Sequence, residues 1–189
     1  MPFVELPASL LAPGVTRVRV HYRDVGAGRP ILILHGGWGY EVYPFDRQIA
    51  ALAPDHRMVI PDRTGYGGSG RLERQEVDFH RRAAAETLAV IAALGLDRPV
   101  LWGHSDGAVI ARDPRTEPGE LDALRAALGQ RGVGSASRVG PARFEILAEG
   151  GHSPHSERAT ADEVTRLAAA FVRGHPLGPP APPGPPDQS

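Results

Sequence analysis

The chain contains no cysteine, which removes disulfides, thiol nucleophiles and cysteine metal sites from consideration. It has no apolar run long enough to span a bilayer. The opening stretch MPFVELPASLLAPG lacks a basic region and is broken by Pro7 and Pro13, so it does not read as a signal peptide. A cytoplasmic location is the expectation. No basic block forms, the arginines are spread out, and the net charge is −1, so neither nucleic acid nor a membrane is expected as a partner. No His/Asp cluster has metal-ligand spacing. The glycines at 65, 67, 68 and 70 are not followed by the G-K-S/T of a phosphate loop. Neither a metal nor a cofactor is therefore expected.

What is present fits a globular domain. The chain is 189 residues long, 41% apolar and 23% charged, enough for one hydrophobic core. Residues 17–23 alternate Arg17, Arg19, His21, Arg23 with Val18, Val20, Tyr22, which predicts a half-exposed antiparallel strand. Ile31–Leu34, Met58–Ile60 and Val100–Trp102 are short apolar runs between turn residues, the pattern of strands buried on both faces. Helices are predicted over 44–52 and over 79–94. The latter is capped by Asp78, has Leu88, Ile91 and Leu94 on its apolar side, and is ended by Gly95. Strands alternating with helices imply a parallel sheet covered on both faces.

Further on, a helix leaving residue 105 is stopped near Pro114. Another helix is expected over 118–128, a glycine-rich loop over 129–140 and a last strand over 144–147. A final helix over 157–172 places Val164, Leu167, Ala168 and Phe171 in phase. The domain reads as residues 1–174. The proline-rich remainder, 175–189, reads as an extended, disordered tail, with a polyproline ligand for a partner domain as the less favoured alternative.

One pentapeptide carries chemistry: Gly103-His104-Ser105-Asp106-Gly107, directly after the strand 100–102 and before Ala108-Val109-Ile110. A serine on a sharp strand-to-helix turn needs small residues two positions away on each side. The turn lifts its Oγ above the strand ends and puts the next N–H at a helix start. The alternative, a glycine-rich turn with an incidental serine, lacks a reason for the flanking strand and helix.

These residues resemble the α/β-hydrolase superfamily, in its lid-bearing esterase, peptidase and C–C hydrolase branch. Three further segments match in the family's order. His35-Gly36-Gly37-Trp38-Gly39 resembles the oxyanion loop. The stretch from Pro61 through Asp62, Gly65 and Gly67 to Ser69 resembles the D-x-x-G-x-G-x-S loop. Gly150-Gly151-His152-Ser153-Pro154 resembles the segment that bears the catalytic histidine. The likeness spans nearly all of residues 15–173. It implies Ser105 as nucleophile, His152 as base with His155 as competitor, and the Gly37 and Asp106 N–H groups as the oxyanion hole. It places Trp38 and His104 at the substrate pocket. The alternatives are a Trp38 packed for stability and a His104 ring turned into the fold. His35 reads as a structural hydrogen-bonder. A dehalogenase or epoxide hydrolase of this fold uses a carboxylate where this chain has Ser105.

The resemblance also implies an acid, and the segment around Asp113 is similar to the one that carries it. Asp113 lies eight residues beyond Ser105, where the family has a long stretch with two strands and a lid. A continuous helix would carry it roughly 12 Å from the elbow. Glu149, Glu157 and Asp62 remain alternatives. The fold expected is thus a truncated α/β-hydrolase sheet, mostly parallel, with helices on both faces. The strand at 143–148 would return beside the strand 99–103 through a right-handed crossover.

Two functions follow. The first is a serine hydrolase acting on a small ester-like or other acyl substrate through an acyl-enzyme. The second is a truncated, catalytically impaired relative acting as a binding protein or without selected activity. Either way the site is expected to be shallow and open, and exposed apolar sheet surface is expected to favour a homodimer.

Overall fold

The computed structural model describes residues 2–72, 74–112 and 150–174. Five strands form one sheet in the order β1-β2-β4-β3-β5. These are β1 (Phe3–Leu6), β2 (Val18–Val25), β3 (Arg29–Leu34), β4 (His56–Pro61) and β5 (Val100–Gly103). β1 and β2 run antiparallel, as do β2 and β4, while β3 pairs parallel with both β4 and β5. The helices are α1 (Asp46–Leu52), α2 (Phe79–Ala93), α3 (Asp106–Arg112) and α4 (Ala161–Val172).

β3 and β4 are buried on both faces, as their uninterrupted apolar runs require. Leu32, Leu34 and Val59 face one layer, packing with Phe79, Ala83 and Ala84 of α2 and Ile110 of α3. Ile31, Ile33, Met58 and Ile60 face the other, packing with Leu52 of α1, Phe45 before it and Val172 of α4. The parallel part of the sheet is therefore sandwiched between helix pairs. Its strand ends are where the elbow emerges.

Several expectations need correction. The structure adds an N-terminal strand, β1, that the sequence pattern does not predict. Val4 and Leu6 turn inward while Phe3 and Glu5 face out, a period-2 signal too short to stand out beside Pro7. β5 is less buried than its sequence suggests: Leu101 is exposed, and β3 is the only strand it pairs with among the described residues. On β2, His21 is buried rather than exposed, because the loop after β4 covers it. α2 buries Ala83, Ala84, Ala85, Ala89 and Val90, whereas Leu88, Ile91 and Leu94 are only half-buried. Alanines let the helix backbone approach the sheet closely, which a search for large apolar residues overlooks.

Asp78 does precede α2, but its side chain makes no cap hydrogen bond. It accepts from Arg82 Nε at 2.6 Å instead. α1 begins at Asp46 rather than at 44. α4 begins at Ala161 rather than 157, and its buried residues are Ala161 and Val172, with Phe171 turned to solvent. The expected helix over 118–128, the loop 129–140, the strand at 144–147 with its crossover, and the tail 175–189 lie outside the described residues.

Candidate active site

The elbow starts where β5 ends. Leu34 and Gly103 pair across the parallel ladder, and the His104 N–H continues it by donating to Leu34 O at 3.1 Å. The chain then reverses. Ser105 has φ 52°, a left-handed conformation that costs a non-glycine residue of the order of 1–2 kcal/mol. The reversal closes with Gly107 N–H on His104 O at 2.8 Å, and Val109 N–H on Ser105 O at 3.2 Å opens α3. A Cβ on Gly103 would overlap the backbone of Gly107, so only glycine fits there.

His152 comes from the loop before α4. Its Nε2 lies 3.2 Å from Ser105 Oγ, within reach for proton transfer from the hydroxyl. The loop is held by Glu157, whose carboxylate accepts the N–H groups of Gly151 and Ser153, each at 2.7 Å. Those two bonds hold the Glu157 carboxyl below the usual range. They also occupy the turn that sequence periodicity assigned to α4. His155, the competing histidine, is buried and stacks on Phe45 with ring centroids 4.1 Å apart. Burial pushes its pKa down to about 4, and its ring faces Tyr43 O rather than Ser105.

The loop at residues 35–39, which resembles the family's oxyanion loop, follows β3. His35 Nε2 accepts the Arg63 N–H at 3.2 Å, so its proton sits on Nδ1 and is donated to Gly36 O at 2.7 Å. Burial, with the Arg63 charge beside it, lowers its pKa to about 4. His35 is thus a neutral structural hydrogen-bonder, as its sequence position suggested. The Arg63 guanidinium is buried beneath the loop and donates to His35 O at 3.2 Å and Gly36 O at 3.5 Å. In a trans peptide the carbonyl and the following N–H point opposite ways. Fixing Gly36 O downward therefore sends the Gly37 N–H to the other side.

Asp106 opens α3 and crosses toward that loop. Its Oδ1 lies 3.1 Å from His80 Nε2, and a Cβ on Gly37 would meet its Oδ2 at 2.6 Å. The Asp106 carboxylate thus packs against Gly37. Neither His80 nor the buried Arg63 was singled out from sequence. His80 carries no local signal, whereas Arg63 lies within the segment that resembles the D-x-x-G-x-G-x-S loop, at a position that pattern leaves open. Trp38 is 74% exposed, which rules out the packed alternative. His104 takes the inward alternative: it is buried, with Nε2 on the His152 loop.

A family model for the alpha/beta hydrolase fold matches residues 29–112, from β3 through the loop after it and the elbow to the end of α3. Over these residues the chain belongs to the α/β-hydrolase superfamily. It is similar to a 2-heptyl-3-hydroxy-4-quinolone dioxygenase of Rhodococcus erythropolis, 34% identical over 97 residues, which is 50% of this chain and 35% of that protein. It is also similar to epoxide hydrolase A of Mycobacterium tuberculosis, 36% identical over 95 residues, covering 49% and 30%. A third relative is a non-heme haloperoxidase of Rhodococcus erythropolis, 37% identical over 90 residues, covering 47% and 31%. The chain thus spans about a third of the length of these curated relatives. Among solved structures, a thermophilic esterase from Thermogutta terrifontis has a TM-score of 0.49 at 24% identity, covering 60% of this chain and 41% of that one.

Within this α/β-hydrolase, the acid is the part not accounted for. Asp113 and Glu149 lie outside the described residues. Asp62 is engaged elsewhere, with His21 Nδ1 at 2.7 Å, Arg23 Nη1 at 3.1 Å and Gly68 N–H at 2.9 Å. Glu157 is occupied by the two backbone N–H groups. Among the described residues, no carboxylate bonds the Nδ1 of His152. Nor, among them, does any group of three His, Cys, Asp or Glu residues suit a metal ion. No helix among them is long and apolar enough to cross a membrane.

Proposed function

We propose that the protein is a serine hydrolase that cleaves an ester-like acyl substrate through an acyl-enzyme. The observation that carries this reading is the 3.2 Å approach of His152 Nε2 to Ser105 Oγ on a left-handed elbow. Named activities among the relatives range from dioxygenase to epoxide hydrolase and haloperoxidase, so fold alone does not choose the chemistry. What supports acyl transfer is the elbow residue, a hydroxyl within reach of an imidazole.

In this reading Ser105 Oγ attacks the carbonyl carbon while His152 takes its proton. The Gly37 and Asp106 N–H groups receive the developing oxyanion. His152 returns the proton to the leaving alcohol, and water then releases the acid by the same steps in reverse. Trp38, exposed beside Gly37, would meet the acyl group at the rim of an open site.

A second reading, a catalytically impaired relative, is favoured by two observations. No carboxylate supports His152 among the described residues, and the Asp106 carboxylate packs against Gly37, where a Cβ would meet it at 2.6 Å. Pre-steady-state hydrolysis of p-nitrophenyl butyrate separates the two. A p-nitrophenol burst, lost in Ser105→Ala and His152→Ala, supports the enzyme. Wild-type release equal to that of the two variants supports the impaired relative.

A further inference from the structure

We propose that His104, the central residue of the elbow, is a positioning residue that registers His152 on Ser105 by holding the backbone of the histidine loop. The proposal rests on the serine-hydrolase reading and names a part of its machinery that the family's motif leaves open. His104 is the peptide neighbour of Ser105, so whatever its ring grips is fixed relative to the nucleophile. Its Nε2 lies 3.0 Å from the His152 carbonyl oxygen and 3.1 Å from Ser153 Oγ. A carbonyl only accepts, so Nε2 carries the proton and donates it to His152 O, with Ser153 Oγ alongside. One side chain therefore reaches from the nucleophile's turn to the main chain of the base itself.

The rest of the ring's surroundings keep it in that state. Nδ1 is buried with no hydrogen-bond partner among the described residues. It packs over Gly36, where a Cβ would come within 2.9 Å of it. A second proton on the ring would have no acceptor there, and burial lowers its pKa, with the His152 charge adding to the effect. The ring is walled by Tyr43 at 5.4 Å, Phe45 at 6.5 Å and His155 at 4.5 Å between centroids. These contacts fix the rotamer, which a positioning bond needs. Together with Glu157 on the flanking N–H groups, His104 gives the base loop three backbone anchors on either side of His152. Gly36 is then required for a reason besides the oxyanion loop: it makes room for the ring.

His104→Gln and His104→Met test this in the full chain. Gln retains an N–H donor, whereas Met retains bulk without one. With p-nitrophenyl butyrate, Met is expected to lower kcat about ten- to a hundredfold with KM within about twofold, and Gln to restore most of it. Met at wild-type kcat would overturn the proposal. Two further readings do not need turnover. Imidazole 1H–15N spectra of the wild type should show His104 as the neutral Nε2–H tautomer, and a Nδ1–H tautomer or an imidazolium would overturn it. Amide exchange at Ser153 should speed up in Met and recover in Gln, and equal exchange in all three proteins would overturn it. If the wild type shows no turnover, the hydrolase reading fails while the tautomer and exchange still decide the role of His104. If the Met variant does not fold, the wild-type tautomer and the Gln variant decide it.

Discussion

The Gly107 backbone lies against the Leu34 carbonyl so closely that a Cβ on residue 107 would overlap that oxygen. The contact locks α3 onto the end of β3 and places Ser105 above the sheet. Because the obstacle is backbone rather than a flexible side chain, Gly107→Ala is expected to destabilise the fold by about 1–3 kcal/mol. Gly70 has open space around it, so Gly70→Ala should leave stability within about 0.5 kcal/mol. Urea unfolding of the two variants measures the contrast.

Ser105 holds a left-handed backbone that glycine adopts freely. Ser105→Gly and Ser105→Ala both remove the hydroxyl, but only glycine relieves the backbone. The glycine variant should be the more stable of the two by about 1 kcal/mol, read as a difference in thermal midpoint. Equal midpoints would show that the turn stores no strain.

Much of this site is legible in sequence because steric demands select residue types. The pattern Gly103-x-Ser105-x-Gly107 is imposed by backbone overlap, and Gly36 and Gly37 leave room for His104 and Asp106. The buried runs of β3 and β4 are equally plain, since a strand covered on both faces has no polar positions to interrupt it. What escaped was set by long-range pairing. Arg63 and His35 are 28 positions apart, yet the Arg63 N–H meets the His35 ring and its guanidinium meets the carbonyls of His35 and Gly36. His21 reads as solvent-facing by alternation, but Asp62 receives it from across the sheet. Glu157 reads as helix, but its carboxylate is drawn to two loop amides. Each is a tertiary demand that local periodicity does not encode.

Arg63 anchors the loop proposed to hold the oxyanion through two carbonyls that a guanidinium fork can span and an ammonium cannot. Arg63→Lys should therefore lower kcat more than it raises KM. The fall should be about tenfold, less than the 10²–10³ that follows removal of an oxyanion donor itself. Steady-state kinetics on an activated ester decide it, and a change confined to KM would contradict the role.

His35 and His155 are both held neutral by burial, each near a pKa of about 4 against an ordinary 6.5. Between those values the unfolded chain binds protons that the folded chain does not, so stability rises with pH across this window. It should be fully present above about pH 6.5 and lost progressively toward pH 4. His155→Phe keeps the stack on Phe45 without a titrating group, and should flatten the pH dependence of the denaturation midpoint. An unchanged slope would show that His155 titrates alike in both states.

Glu157 titrates in the opposite chemical sense but with the same outcome in acid. Its carboxyl is held low by the Gly151 and Ser153 N–H groups. The stability it gives is present above the ordinary carboxylate range and lost as the pH falls through its folded value. Glu157→Gln should speed amide exchange at Gly151 and Ser153 near neutral pH. That difference should shrink in strong acid.

The claim on which the functional reading stands is that His152 activates Ser105. Reaction of the folded, monodisperse protein with a fluorophosphonate, followed by intact-mass and peptide mass spectrometry, reads that activation at the reacting atom. Wild type should gain one adduct on Ser105, Ser105→Ala none, and His152→Ala should label much more slowly. A wild-type protein that stays unlabelled, or that labels no faster than His152→Ala, would contradict it.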